Sequence, residues 1–139
     1  MAFPPDGGNK QYFVSKAFTY SQGGYRFASS NNPPDEYDFG IDILDAGSSE
    51  VTGTALAAST RVHLAVTYNP GVDMTLYVNS LLVTHKTGNV PGAIADDPKA
   101  SFRIGCRGDG ADYVSARIAE VRVYDRVLSQ SEIATIYNQ

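Results

Sequence analysis

The sequence predicts an all-β fold, an antiparallel two-sheet sandwich or jelly roll with one short C-terminal helix. Apolar and polar residues alternate along short stretches that turn residues separate, which is the pattern of half-buried strands. Thirteen glycines and seven prolines accompany nine tyrosines and six phenylalanines, a composition that favours strands joined by tight turns. The chain has 139 residues, of which 42% are hydrophobic, and it can bury one core without disulfides or metals. We therefore interpret residues 1–139 as a single domain.

The alternation predicts eight strands. They are expected at residues 11–15, 24–28, 37–44, 62–68, 75–78, 82–87, 101–106 and 113–124. The clearest is 62–68, where Val62, Leu64, Val66 and Tyr68 fall on one face and should be buried between the two sheets.

Turn residues predict how these strands are connected. Residues 69–71 (NPG) form a turn, and Asn79-Ser80 is a two-residue link that suits a tight hairpin. Residues 29–35 (SSNNPPD) and 88–98 are rich in Asn, Pro, Gly and Asp, so both are predicted to be long surface loops.

The helix is predicted at the C-terminus. Ser129 and Glu132 have the S-x-x-E spacing of a capping box, and Leu128 and Ile133 are placed for a hydrophobic staple. An apolar stripe at helical spacing follows, so the helix should dock on the sandwich.

Charge and composition exclude several classes of partner. The net charge is −4 and no run of Lys or Arg occurs, so nucleic acid is not expected to bind. No apolar stretch is long enough to cross a bilayer, and the first residues lack the basic and apolar regions of a secretory signal. The lone Cys106 cannot form an internal disulfide and is interpreted as a small buried hydrophobe of a strand.

Two long segments carry a family resemblance. They are RVHLAVTYNPGVDMTLYVNSLLV (61–83) and SFRIGCRGDGADYVSARIAEVRVYDRVLSQSEIATIY (101–137). They resemble the laminin-G-like jelly-roll domains of the concanavalin A-like lectin/glucanase superfamily, whose members carry W-H-H-V-A-V-T-Y-D, L-Y-V-D-G and I-D-E-V-R-I-Y-N-R-A-L-S-x-x-E-I. The shorter stretches YFVSK (12–16) and GTAL (53–56) also fit. The resemblance implies a jelly roll that binds a ligand and does not catalyse a reaction.

The sequence departs from the family in three ways. Arg61 replaces a tryptophan, and Asn79-Ser80 replaces the Asp-Gly of the hairpin. The strands with which members begin are not recognisable before residue 12. In the family such a strand pairs near residues 120–124, so an unpaired apolar sheet edge is expected here. That edge predicts a homodimer. The alternatives are a fragment of a longer protein and a monomer with a rearranged edge.

An acidic turn is the candidate metal site. Asp109 and Asp112 could converge their carboxylates on a hard cation such as Ca²⁺, and some members of the resembled family hold calcium at the rim of the sandwich. The alternative is a plain hairpin turn, because two carboxylates supply fewer than the roughly six oxygen ligands that calcium takes.

The candidate ligand-binding residues are aromatic or flank this turn. Tyr20 and Tyr25 lie beside Ser, Gln and Asn and could stack on a sugar ring, while Arg107 and Tyr113 border the acidic turn. For the tyrosines, core packing is the alternative interpretation.

Catalytic patterns are weak. Glu120 and Asp125 are five apart, which places them on opposite faces of a strand and disfavours a retaining glycosidase. His63 and His85 sit in no triad or zinc pattern; His63 is interpreted as a structural hydrogen-bonded residue and His85 as exposed.

The function predicted is a non-catalytic recognition or adhesion module for carbohydrate or a protein surface. It would be extracellular or at the cell surface if the chain is part of a larger secreted protein. The alternatives are a structural self-association module without a small ligand and, as a minor one, a glucanase-like hydrolase.

Overall fold

The computed structural model describes residues 10–17, 23–31, 34–43, 47–55, 60–96 and 98–139. In these residues eight strands precede one helix. The elements are β1 (Tyr12–Lys16), β2 (Tyr25–Asn31), β3 (Pro34–Ile43), β4 (Gly47–Ala55), β5 (Leu64–Asn69), β6 (Asp73–Val78), β7 (Leu81–Lys86), β8 (Arg103–Ile104) and α1 (Gln130–Tyr137). Among the described helical residues no span is long and apolar enough to cross a membrane.

The strands form two antiparallel sheets, as the sequence predicts. The larger sheet has the order β4-β3-β2-β1-β8, and the smaller one has the order β5-β6-β7. In the larger sheet Phe27, Phe39 and Val51 lie side by side on neighbouring strands. Their face packs against Met74 and Leu76 of β6, both fully buried, so that the core lies between the sheets.

The middle of the chain confirms the predicted meander. Val62, Leu64, Val66 and Tyr68 all pack against the core. Asn79 and Ser80 have φ angles of 50° and 65°, which are those of a type I′ hairpin turn between β6 and β7.

The predicted helix is also confirmed. The Ser129 hydroxyl accepts a hydrogen bond from the Glu132 backbone N–H, and the Glu132 carboxylate accepts one from the Ser129 N–H, which completes the capping box. Leu128 and Ile133 pack with Tyr77, so the staple residues anchor the helix to the smaller sheet.

Three predicted elements differ from the structure, and one strand was not predicted. The long loop predicted at 29–35 is wrong, because residues 29–31 belong to β2 and residues 34–35 to β3, with Asn31 opposite Pro34. Strand β4 was not predicted, because Val51 is the only large apolar residue of GSSEVTGTA and its register comes from β3. The strand predicted at 101–106 shrinks to Arg103–Ile104, and Cys106 is buried as expected but lies in a bend outside it.

The third correction concerns residues 113–124, where the structure assigns no strand. Val114, Ala116 and Ile118 pack against the core at alternate positions, as the alternation requires. Alternation fixes which side chains face the core, but a strand also needs a neighbouring backbone. The described residues place no such neighbour along 116–124.

Candidate functional site

The turn at residues 107–112 is closed by its own backbone. The Arg107 N–H donates to the Ala111 carbonyl at 2.8 Å, and the Gly110 N–H donates to the Arg107 carbonyl at 2.8 Å. Gly110 and Asp112 have φ angles of 88° and 50°, in the left-handed region that such a tight reversal uses. The turn is thus a defined structure that can hold side chains in place.

One guanidinium holds both acidic side chains of this turn. Arg107 donates from Nε and Nη2 to the two carboxylate oxygens of Asp109, at 3.0 and 2.7 Å, and from Nη1 to Asp112 at 2.6 Å. The Ala111 N–H donates to Asp109 at 2.9 Å. The hydrogen bonds from Arg107 hold the pKa of Asp109 below its ordinary value, and those to Asp109 raise the pKa of Arg107. The two carboxylates are therefore held around one guanidinium, and the three groups together keep one negative charge.

The predicted metal ligands Asp109 and Asp112 are therefore brought together, but around a guanidinium. A calcium ion would have to displace Arg107 and recruit further oxygen ligands. Among the described residues no group of three or more His, Cys, Asp or Glu side chains is arranged to hold a metal. Calcium binding at this turn stays a prediction.

The predicted aromatic residues differ in their placement. The Tyr113 side chain follows the acidic turn and is 72% exposed. Tyr25 lies opposite Lys16 where β1 ends and β2 begins, and its half-buried ring packs against the core. Burial raises the pKa of Tyr25, and Lys16 opposes this increase. Tyr20 lies outside the described residues. The ligand-binding roles of these tyrosines stay predictions, and the packing of Tyr25 agrees with its alternative interpretation.

Backbone contacts bring Tyr25 and the acidic turn to the same end of the larger sheet. The Gly108 N–H donates to the carbonyl of Ala17, which follows Lys16, at 3.1 Å. Lys16 forms an ion pair with Asp96, which lies in the loop predicted at residues 88–98. We call this end of the larger sheet the rim; it consists of the turn at residues 107–112, Tyr113, Lys16, Tyr25 and Asp96. The rim therefore combines the exposed ring of Tyr113 with charged groups of both signs.

The loop predicted at 88–98 is tied to both sheets where it is described. The Ser49 hydroxyl of β4 donates to the Asn89 carbonyl, and the Tyr68 hydroxyl of β5 donates to the Pro91 carbonyl, each at 2.7 Å. These bonds attach the loop to β4 of the larger sheet and to β5 of the smaller sheet.

A buried charge cluster was missed by the sequence analysis. It lies on the face of the larger sheet opposite the core and consists of Lys10, Arg26, Asp38 and Glu50. Arg26 forms an ion pair with Glu50, and the Lys10 Nζ lies 2.5 Å from Asp38 Oδ2. Arg26 is 1% exposed and Asp38 fully buried. The only signal in the sequence is that Arg26, Asp38 and Glu50 occupy positions on the same face of their strands; Lys10 precedes β1.

Burial dominates the electrostatics of this cluster. It raises the pKa of Asp38 above the ordinary value, although Arg26 and Lys10 oppose the increase. A Cβ at Gly40, which lies between Arg26 and Glu50 in the register, would stand 2.6 Å from the Arg26 guanidinium carbon. The glycine therefore makes room for the buried arginine. We interpret the cluster as structural.

The two histidines have no catalytic partners in the described residues. The ring of His63 lies 5.7 Å from that of Tyr137, and its buried Nδ1 has no hydrogen-bond partner among the described residues. The backbone N–H of His63 donates to the side-chain oxygen of Asn79 at 3.0 Å, so the residue is hydrogen-bonded through its backbone. Burial and then Arg122 hold its pKa below the ordinary value. His85 is exposed, as predicted, and bonds the Thr75 hydroxyl at 2.8 Å.

The comparison with protein families agrees with this architecture. The profile of the concanavalin A-like lectin/glucanases superfamily, in its laminin G form, matches residues 3–134. Searched against the curated proteins, the chain matches none. Among solved structures it is similar to residues 221–444 of an S-layer domain-containing protein from Clostridium thermocellum. That similarity has 22% identity and a TM-score of 0.48, and it covers 99% of this chain and 68% of the other.

Proposed function

The chain belongs to the concanavalin A-like lectin/glucanase superfamily, and from this premise we propose that it is a non-catalytic module that binds carbohydrate at the rim. One observation carries the proposal. Tyr113 presents a ring that is 72% exposed directly after a turn whose charged groups are already locked. Exposed aromatic faces next to fixed polar groups are suited to stacking on pyranose rings and bonding their hydroxyls.

The locked turn supports recognition because it is ordered before a ligand arrives. Arg107 fixes the carboxylates of Asp109 and Asp112 through three hydrogen bonds. Groups that are already ordered lose little conformational entropy on binding, so more of the contact energy contributes to affinity. Asp109 Oδ1 already accepts two hydrogen bonds, but Asp109 Oδ2 and Asp112 Oδ2 accept one each from Arg107, so their second lone pairs can accept sugar hydroxyls without breaking these bonds.

The electrostatics of the turn favour binding over hydrolysis. A glycosidase needs one carboxylic acid that stays protonated near neutral pH. The pKa of Asp109 is instead held below its ordinary value by Arg107. We therefore propose no catalytic role for this pair, and we place the module at a cell surface or outside the cell, where glycans are displayed.

A glycan array tests the proposal directly. Wild-type protein, Tyr113→Ala and a control, Leu81→Ala, would be compared; Leu81 is 67% exposed but lies in β7, outside the turn. We expect wild type and Leu81→Ala to bind the same glycans and Tyr113→Ala to bind them about tenfold more weakly, the usual scale of one stacked aromatic ring. A wild type that binds no glycan, or a Tyr113→Ala variant that binds as wild type does, would refute carbohydrate binding at the rim.

Calcium is tested on the same array with EDTA and with added calcium. If the ion occupies the acidic turn, EDTA should abolish binding by wild type, and Asp109→Asn should lose the response to calcium. Binding that is the same under both conditions would remove calcium from the proposal and leave carbohydrate recognition intact.

A further inference from the structure

Residues 117–125 form a segment without a backbone partner in the described part of the chain. No strand is assigned to them, and no hydrogen bond to the backbone of 116–124 is found among the described residues. Their side chains are open to solvent at several positions: Val123 is 71% exposed and Tyr124 is 44% exposed. Backbone groups without partners, next to exposed apolar side chains, offer a site for pairing with another strand.

The sequence of this segment is complementary to its own reverse. It reads Arg-Ile-Ala-Glu-Val-Arg-Val-Tyr-Asp from residue 117 to residue 125. In an antiparallel pair of two copies with the two-fold axis at Val121, Arg117 lies opposite Asp125, and Glu120 lies opposite Arg122. Every charged residue then meets the opposite charge.

The apolar residues match in the same register. Ile118 lies opposite Tyr124, Ala119 opposite Val123, and Val121 opposite its own copy. Cross-strand pairs of opposite charge, and pairs of β-branched and aromatic residues, are those that stabilise antiparallel strands. All nine positions are therefore compatible with one two-fold arrangement.

Neighbouring registers are unfavourable. An axis at Glu120 places this carboxylate opposite its own copy, and an axis at Arg122 places two guanidinium groups together. Axes halfway between residues, on either side of Val121, set charged side chains opposite apolar ones. The charge pattern thus selects the axis at Val121, because like charges directly opposite destabilise a pair.

We propose that residues 117–125 are a self-association strand that pairs antiparallel with the same segment of a second copy of this chain. In a single chain the Arg122 Nε donates to the Glu120 carboxylate at 2.6 Å, and both side chains are solvent-accessible. Exchanging the exposed pair of each chain for two equivalent pairs between the chains loses little, while the unpaired backbone gains partners. The proposal does not depend on the rim or its ligand, and it explains the exposure of Val123 and Tyr124.

Charge reversal tests this register. Glu120→Arg sets two arginines opposite each other twice in the dimer, and Arg122→Glu does the same with two glutamates. Each should weaken dimerisation about tenfold or more. The double variant, Glu120→Arg with Arg122→Glu, restores opposite charges and should dimerise as wild type does. The control is Arg61→Glu, because Arg61 is exposed and lies outside the segment.

Mixing the two single variants gives the sharpest result. A Glu120→Arg chain carries two positive side chains at 120 and 122, and an Arg122→Glu chain carries two negative ones, so their heterodimer is complementary. We expect sedimentation equilibrium to show weakly associating single variants, a dimeric mixture and a dimeric Arg61→Glu protein, with circular dichroism confirming the fold of each. A wild type that is monomeric at about 100 µM, or single variants that dimerise as wild type does, would overturn the proposal.

Discussion

Replacing Arg26 by methionine tests whether the buried charge cluster stabilises the fold as an electrostatic unit. Arg26 is 1% exposed, forms an ion pair with Glu50, and has its Nε 4.0 Å from Asp38. Methionine keeps much of the volume but leaves the carboxylates with less compensating charge. Breaking a buried pair usually costs 3–5 kcal/mol, and because Glu50 is 35% exposed we expect about 3 kcal/mol, measured by urea denaturation at neutral pH.

The loss should depend on pH with a defined sign. Burial raises the folded-state pKa of Asp38 above its value in the unfolded chain, and Arg26 opposes this increase. Without Arg26 that pKa rises further. The native state then binds more protons than the unfolded state between the two pKa values, so stability falls as pH rises through this window. Arg26→Met should therefore lose more stability at about pH 8 than at about pH 5.

Asp38→Asn supplies the control because it removes the titrating carboxyl. Added to Arg26→Met, it should abolish the pH dependence, and the two losses should not add, because the residues share one network. A loss by Arg26→Met below about 1 kcal/mol, or one that is equal at the two pH values, would refute the account of this cluster.

Three further predictions concern stability. Gly40→Ala should lower the free energy of unfolding by about 1–3 kcal/mol, measured by thermal or urea unfolding, because the new Cβ would meet the Arg26 guanidinium. Gly92→Ala is the control and should cost much less, because no atom lies within 4 Å of a Cβ there; equal losses would contradict the close approach at Gly40. Ser129→Ala should cost about 1 kcal/mol and speed hydrogen exchange in α1, and unchanged exchange would show that the capping box is not needed. The folded-state pKa of His63 lies below its unfolded value, so the stability that the neutral ring contributes is present above the unfolded pKa and is lost as pH falls through the folded pKa. His63→Phe should therefore lose less stability than wild type between about pH 7 and pH 5. Parallel pH profiles of the two proteins would disprove the lowered pKa of His63.

Local patterns were sufficient to predict much of this protein. The alternation at 62–68 predicted its core-facing residues, because side chains of a strand point to opposite faces whatever its partners are. The capping box at Ser129 and Glu132 predicted where the helix begins, because its bonds join residues only three apart. The acidic turn was found for the same reason, since its charged residues are close in sequence.

Long-range pairing decided the rest. Strand β4 exists because β3 offers its backbone, and residues 113–124 are not a strand because the described residues offer none. The sequence indicated that Asp109 and Asp112 could converge, but only the folded chain shows Arg107 between them. Likewise, Arg26 and Asp38 are twelve residues apart, and only the register between β2 and β3 brings their buried charges together. Spacing determines the direction of a side chain, whereas its neighbours depend on which strands pair and on where each pair is aligned.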